Sequence, residues 1–369
     1  MSIQQSNQPY PFFFKLAMVL FSILAIGYLC ILGKEILSPL LFGLLFAILL
    51  LPFARYFEIK FKIHRSAASA ITVLIILAAF AGIGFLVSTQ ISRLSQSLPL
   101  LQKQIMTSLH QFQLWISDTF QINIEKQMDY VNSATTRFEN ATPNVIGATV
   151  VSVSSVLFFM IFVILDTFFL LIYRRRLLIF LVGVFGKENS LIVYDIVSTV
   201  QFIIRKYLVG LLLEMATVAI VCCSAFLIIG IKYAILLGLI TALFNIVPYI
   251  GIFTALALNI IITFATTAVA AKVIIVIITI VAMHLIDSNL LLPLIVGSKV
   301  RINAFITLLG IVVGEMLWGI SGMFLSIPVI AMAKIIFDRI ESLRPWGILL
   351  GEEKIEKKSL NSKLKSPGD

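Results

Sequence analysis

Long apolar stretches separated by short polar segments dominate the chain, and their lengths indicate membrane-spanning helices. About 20 apolar residues in a helix cross the hydrocarbon core of a bilayer. Eight stretches reach or approach that length, at about 12–33, 36–53, 67–90, 145–173, 207–230, 233–268, 272–296 and 302–337. The pattern predicts an all-α polytopic membrane protein with about eight transmembrane helices.

Three of these stretches, 145–173, 233–268 and 302–337, are too long for one upright helix. Proline removes a backbone donor and glycine lowers helix propensity. The last stretch contains such residues at Gly310, Gly314, Gly319, Gly322 and Pro328. It is therefore predicted to form a helical hairpin or a strongly kinked span. Because Gly310 and Gly314 have the spacing that lets two helices approach closely, we interpret the four glycines as helix-packing positions.

The stretch 233–268 is interrupted by Asn245-Ile-Val-Pro248-Tyr249-Ile-Gly251. A broken helix in hydrocarbon is tolerated only where protein or a water-filled cavity surrounds it. The flanking pieces would reach about 22–26 Å, short of the roughly 30 Å core, which favours half-helices or a re-entrant hairpin. Such discontinuous helices hold ions or substrates in transporters. Asn245 and Tyr249 are therefore candidate ligands, and Pro248 and Gly251 are predicted to shape the bend. A kink without a ligand is the alternative.

The basic residues predict the orientation of the spans. They concentrate in the loop after the second stretch (Arg55, Lys60, Lys62, Arg65), in the loop after the fourth (Arg174, Arg175, Arg176) and in the tail (Lys354, Lys357, Lys358, Lys363, Lys365). Short loops rich in Lys and Arg lie in the cytoplasm, so both termini are predicted to be inside. These segments also explain the formal net charge of +10 without a nucleic-acid partner.

Composition agrees with a membrane protein. Apolar residues make up 60% of the chain and charged residues 12%, and the mean hydropathy is +1.07. A soluble domain carries about 25% charged residues. The composition therefore excludes an ordinary soluble domain.

Two amphipathic regions are predicted outside the bilayer. Charges balance between Ile91 and Asn144, which places that segment outside the cell. Apolar residues recur there at helical spacing at Leu101, Ile105, Leu109, Phe112 and Ile116, and again at Ile124, Met128, Val131 and Phe138. This spacing predicts an amphipathic helical hairpin, which either packs on the membrane face or acts as a lid or oligomer contact. The amphipathic stretch 189–204 predicts a helix along the cytoplasmic interface.

These features divide the chain into six predicted segments. They are the first three spans (1–90), the extracytoplasmic hairpin (91–144), the fourth span (145–173), the cytoplasmic interfacial helix (174–206), the C-terminal transmembrane region with its broken helix at 245–251 (207–340), and a basic, partly disordered cytoplasmic tail (341–369).

Ionisable residues inside apolar stretches are costly and are therefore candidates for function. Asp287 and His284 share a helix face and could hold or relay a proton, with Asn289 nearby. The alternative for Asp287 is a structural polar contact, for example with Asn245. Glu214 is either a coupling-ion carboxylate or an interfacial glutamate. Glu315 lies deeper in its stretch, and it either acts in transport or pairs with a neighbouring helix.

No constellation of residues predicts catalysis. His64, His110 and His284 are too dispersed for a metal site, and Cys30, Cys222 and Cys223 are interpreted as small core residues. A phosphate-binding Gly-x-x-x-x-Gly-Lys loop and a Gly-x-Ser-x-Gly element are both missing from the sequence. We therefore expect that the protein is not an enzyme and that it binds no cofactor and no metal. Its function is expected to be secondary transport or a passive pathway across the membrane.

Several motifs together resemble one known family. They are Tyr207-Leu-Val-Gly210, Gly230, Leu243-Phe-Asn245-Ile-Val-Pro248-Tyr249-Ile-Gly251, Asp287-Ser-Asn289 with Pro293 and Gly297, and Leu317-Trp-Gly319-Ile-Ser-Gly322-Met-Phe-Leu-Ser-Ile-Pro328. Their order and spacing resemble the autoinducer-2 exporter (AI-2E) family of permeases over essentially the whole chain. Asn303-Ala304 departs from the pattern, since many members have a proline there.

The resemblance implies a bacterial inner-membrane protein with eight spans and an extramembrane insert after the third. Some relatives export the quorum-sensing furanone autoinducer-2, and others exchange sodium or lithium for protons. The expected partners are therefore the lipid bilayer and either a small polar solute or a monovalent cation and proton. A non-transporting membrane scaffold that assembles as a homo-oligomer is the alternative of a different class.

Overall fold

The computed structural model describes residues 11–96, 107, 124–247, 250–267, 269–296 and 302–352. These residues form helices and short turns, and no β-strand is found among them. The helices are α1 (Phe12–Leu32), α2 (Lys34–Lys60), α3 (Arg65–Gln96), α4 (Ile124–Phe185), α5 (Ser190–Ile229), α6 (Ala234–Phe244), α7 (Ile250–Thr267), α8 (Ala270–Ile286), α9 (Ala304–Trp318), α10 (Ile320–Arg339) and α11 (Arg344–Leu350). A π-helix, Asp287–Val296, continues α8.

Eight helical segments in the described part of the chain are long and apolar enough to cross a membrane. They lie in α1, α2, α3, α4, α5, α7, α8 with the start of its π-helix, and α10. The predicted all-α polytopic class is thus confirmed. The stretches predicted at 233–268 and 302–337 each contain two helices, of which α6 and α9 are the shorter ones.

Two helices are longer than the apolar pattern indicates. Helix α4 is continuous from Ile124 to Phe185, so it includes the second half of the predicted hairpin and the three arginines. The first half, 101–116, lies outside the described residues except at Thr107, and the hairpin stays a prediction. The predicted interfacial stretch 189–204 runs without interruption into the following span as α5. Between α4 and α5 the chain turns at Gly186, whose φ of 87° favours glycine.

Helix α5 connects the two packed regions of the molecule. On one side, Tyr207 and Leu208 pack with Leu45 of α2 and Leu325 of α10. On the other side, Val218, Cys222 and Phe226 pack with residues of α6 and α8, including Leu236, Leu237, Val276 and Ile280. A third apolar cluster joins α2 to α3 and α4. Glu214 lies on α5 between these two clusters and is buried in the interior of the bundle.

Helices α9 and α10 form a closely packed pair joined at Gly319, whose φ is 64°. A Cβ atom on Gly314 or on Gly322 would overlap the other residue's backbone carbonyl, and one on Gly310 would overlap Ile330. The glycines therefore permit contact between these two helices. Next to the turn, the Trp318 indole N–H donates to the Cys30 carbonyl at 2.8 Å, which attaches α1 to the bundle.

Candidate functional site

The helix interruption at residue 245 is a compact turn with its described backbone donors satisfied. The N–H groups of Asn245 and Val247 donate to the carbonyls of Thr241 and Phe244, at 3.1 and 3.0 Å. A Cβ atom on Gly251 would overlap the Phe244 carbonyl, so the start of α7 packs directly on the end of α6. Pro248 and Tyr249 lie outside the described residues, and their predicted roles stay predictions.

At this turn the Asn245 side chain joins two acidic residues from other helices. Its Nδ2 atom donates to Glu214 Oε1 of α5 at 3.0 Å and to Asp287 Oδ2 at the end of α8 at 3.1 Å. An amide NH₂ group has two hydrogens, so one group serves both carboxylates. Glu214 and Asp287, which are 31 and 42 positions from Asn245 along the chain, thus form one cluster with it, which we call the acidic cluster.

Both carboxylates of the acidic cluster are removed from solvent. Glu214 is 4% exposed and Asp287 is 5% exposed. Their second oxygens, Glu214 Oε2 and Asp287 Oδ1, are buried without a hydrogen-bond partner in the described part of the chain. The ion pairs found among the described residues, Arg174 with Glu58, Lys334 with Asp338 and Arg339 with Asp195, all lie elsewhere.

When both carboxylates of the acidic cluster are charged, burial makes the cluster unstable without a positive charge. Two negative charges held close together out of water repel each other, and each loses hydration. A proton or a monovalent cation between the free oxygens would remove the repulsion and provide the missing partner. The acidic cluster can therefore bind one small positive charge.

A cavity of about 10 Å³ adjoins the cluster, lined by Thr241, Asn245, His284 and Asp287 together with apolar residues. It is about the size that one water molecule requires. Asn245 and Asp287 therefore face a shared space. His284 does not bond to Asp287, because its Nε2 atom lies 3.4 Å from Ser288 Oγ and its buried Nδ1 has no partner among the described residues.

A second buried polar group continues from the cluster along α6 and α7. Asn259 is fully buried, and its Nδ2 donates to Thr241 Oγ1 at 3.1 Å and to the Ala255 carbonyl at 2.7 Å. Its Oδ1 and the hydroxyl of Thr263 have no partner within the described residues. The sequence analysis did not select Asn259, although an asparagine within an apolar stretch was the available signal.

The remaining described candidates, Asn289 and Glu315, are exposed and form no hydrogen bond with the acidic cluster in the described part of the chain. Asn289 is exposed, and its side chain donates to the Leu285 carbonyl of its own helix at 2.8 Å. Glu315 is exposed on α9. No group of three His, Cys, Asp or Glu side chains suited to a metal ion occurs in the ranges that the structure describes. Of the predicted pathway residues, Glu214, Asn245 and Asp287 come together, with His284 beside them.

The helices and the acidic cluster define a polytopic α-helical membrane protein with a polar site in its interior. Residues 15–342 match the family model described as "AI-2E family transporter", so the chain belongs to the AI-2E family, as its motifs predicted. It is 28% identical over 326 residues to the "Putative transport protein YueF" of Bacillus subtilis, covering 83% of this chain and 86% of that protein. It is 30% identical over 138 residues to the "Putative transport protein YrrI" of the same organism, covering 37% and 38% of the two chains. The protein is a membrane transporter.

Proposed function

We propose that this transporter exchanges a monovalent cation for a proton and that the acidic cluster is the shared binding site. The observation that supports this most directly is the pair of buried carboxylates, Glu214 and Asp287, held by one amide with a free oxygen on each. An intramembrane carboxylate without a basic partner is typical of proton and cation pathways. The adjoining cavity, at about 10 Å³, matches an ion or a water molecule better than a larger solute.

The exchange follows from competition for one site. When the cluster faces one side of the membrane, a cation binds between Glu214 Oε2 and Asp287 Oδ1. When it faces the other side, a proton adds to one of these oxygens and the cation leaves. Each cycle moves one positive charge in each direction, so no further reactant is required. The interruption between α6 and α7 gives the chain a place to bend between the two states.

Export of a small polar solute such as autoinducer-2 is the second candidate, and the description of the matching family favours it. In this function the acidic cluster would bind the coupling ion, and the solute would require a wider opening than the cavity beside Asp287. For both functions we propose the bacterial inner membrane, with both termini in the cytoplasm as the basic segments predict.

Transport by purified protein in liposomes tests the proposal. With the vesicle interior more acidic than the outside, we expect sodium or lithium to enter as protons leave, and the pH gradient to collapse faster than in empty vesicles. Asp287→Asn keeps a side chain that can bond to Asn245 but removes a charge, so we expect both fluxes to fall to the level of empty vesicles. Asp166→Asn, a half-buried carboxylate of α4 outside the cluster, is the matched control and is expected to retain the flux.

The outcomes separate the candidate functions. Cation and proton fluxes equal to those of empty vesicles contradict antiport. Efflux of autoinducer-2 in the same vesicles would then favour the second candidate. Movement of none of these species favours the scaffold interpretation. Antiport in wild type with an unchanged pH profile in Asp287→Asn would remove the acidic cluster from the mechanism.

A further inference from the structure

A large cavity lies between α2, α4, α5 and the end of α10, and it shares no lining residue with the small cavity beside the acidic cluster. Its volume is about 1200 Å³, which exceeds the roughly 300–1,000 Å³ of ordinary small-molecule pockets. Its walls are mainly apolar and include Leu51, Val193, Val197 and Met332. Leu177, Phe180 and Phe185 also line it and are themselves exposed, so the cavity opens onto the apolar surface of the bundle.

The charged residues of this cavity are nearly all of one sign. It is lined by Arg55, Arg65, Arg174, Arg175 and Arg339, and by one carboxylate, Glu341. Arg174 is paired with Glu58, and Arg339 with Asp195. The other three arginines form no ion pair with any carboxylate that the structure describes. The cavity therefore has an excess of positive charge that the described protein does not neutralise.

Along the helices, the arginines have apolar cavity walls on both sides. Arg55 lies near the end of α2 and Arg65 at the start of α3, whereas Leu44 lines the cavity from deeper in α2. Leu44 and Arg55 are 11 positions apart in α2, about 16 Å at the rise of an α-helix. Leu177, Phe180 and Phe185 of α4 continue the apolar wall after Arg175. A molecule that fills the cavity thus meets a group of arginines with apolar surface next to it on both sides.

We propose that this cavity is a binding site for an anionic phospholipid of the surrounding membrane. The phosphate contacts Arg55, Arg65 and Arg175, and part of an acyl chain lies against the walls formed by α2 and α5. Basic pockets between helices at the cytoplasmic side of a membrane suit such head groups. Arginine also bonds phosphate through two donors at once. The site is separate from the acidic cluster, and the inference does not depend on the proposed antiport.

Native mass spectrometry of the full chain tests this site. The protein in detergent is incubated with equal amounts of phosphatidylglycerol and phosphatidylcholine that carry identical acyl chains. We expect wild type to retain phosphatidylglycerol and to release phosphatidylcholine. Each Arg→Gln change at 55, 65 or 175 is expected to weaken retention about fivefold, since a basic residue near an anionic membrane contributes about that factor in binding.

Two further variants keep the test specific. Arg176→Gln removes a neighbouring arginine that does not line the cavity, and we expect it to retain the lipid like wild type. Val197→Trp leaves the charge unchanged and fills part of the apolar volume, and we expect it to reduce retention. Equal retention of both lipids by wild type, or equal retention of phosphatidylglycerol by all variants, overturns the proposal. Displacement of the lipid by millimolar inorganic phosphate also overturns it, because the site would then recognise a simple anion.

Discussion

At the scale of single residues, Asn245 determines how the acidic cluster is built. Its one amide group donates to both Glu214 and Asp287, which lie on different helices. A buried carboxylate that loses a donor also loses the compensation for its desolvation. Asn245 therefore connects three helices by hydrogen bonds, and it is also a candidate ligand of the transported ion.

We predict that Asn245→Leu destabilises the folded protein. The substitution is similar in size but leaves two buried carboxylates without their donor, at a cost of about 1–3 kcal/mol for each. Unfolding in mixed micelles of mild detergent and dodecyl sulfate measures the change. Asn289→Leu is the matched control, because Asn289 is exposed and bonds only to its own helix. Equal stability of the two variants would show that the hydrogen bonds of Asn245 do not stabilise the fold.

At the scale of helices, the interruption between α6 and α7 depends on one close approach. Gly251 lies against the Phe244 carbonyl, where no side chain fits without a shift of one helix. The contact keeps Asn245 at the end of α6, within reach of α5 and α8. The geometry of the turn and the formation of the acidic cluster are therefore coupled.

Glycine-to-alanine substitutions are predicted to have opposite effects at two positions. Gly251→Ala introduces an overlap with backbone, which costs about 1–3 kcal/mol. Gly84→Ala, in α3, meets no atom within 4 Å and should stabilise its helix by about 0.5–1 kcal/mol. Thermal unfolding in detergent compares the two variants with wild type. A Gly251→Ala protein at least as stable as wild type would show that the two helices separate without cost.

Hydropathy locates the membrane-spanning part of a helix but not the residues at which the helix begins and ends. The apolar pattern locates the spans of α4 and α5, but both helices continue through polar residues. Arg174, Arg175 and Arg176 do not end α4, because arginine has a high helix propensity. The apolar pattern marks where lipid is, whereas helix ends depend on local breakers such as Gly186.

At the scale of the whole molecule, the basic residues predict which side of the membrane each loop occupies. Lys62 lies in the loop just before α3 and Gln96 is the last residue of α3, and both are exposed. The loop that contains Lys62 is the basic one and is predicted to be cytoplasmic. The end at Gln96 is then predicted to face outward.

Cysteine labelling tests this orientation. In a chain with Cys30, Cys222 and Cys223 replaced by serine, we expect Gln96→Cys to react with a membrane-impermeant maleimide in intact cells. Lys62→Cys is expected to react only after the membrane is permeabilised. The reverse pattern would contradict the predicted orientation. Labelling of both positions in intact cells would show that α3 does not span the membrane.

The candidate residues can be distinguished only by their positions in the tertiary structure. The sequence marked Glu214, Glu315, Asp287 and Asn289 by the same argument, that polar groups inside apolar stretches are costly. The structure buries Glu214 and Asp287 around Asn245 and leaves Glu315 and Asn289 exposed. Helical periodicity relates residues within one helix but carries no information on which faces of α5, α6 and α8 meet.

The all-α membrane class, the family and the interrupted helix at 245 could be predicted from the amino-acid order, because hydropathy, proline, glycine and motif spacing are local properties of the chain. The acidic cluster of Glu214, Asn245 and Asp287, and the cavity lined by arginines of α2, α3, α4 and α10, are visible only in the folded molecule. These groupings depend on packing between residues that are distant in sequence. Packing is set by the fit of whole helix faces, which no single segment encodes.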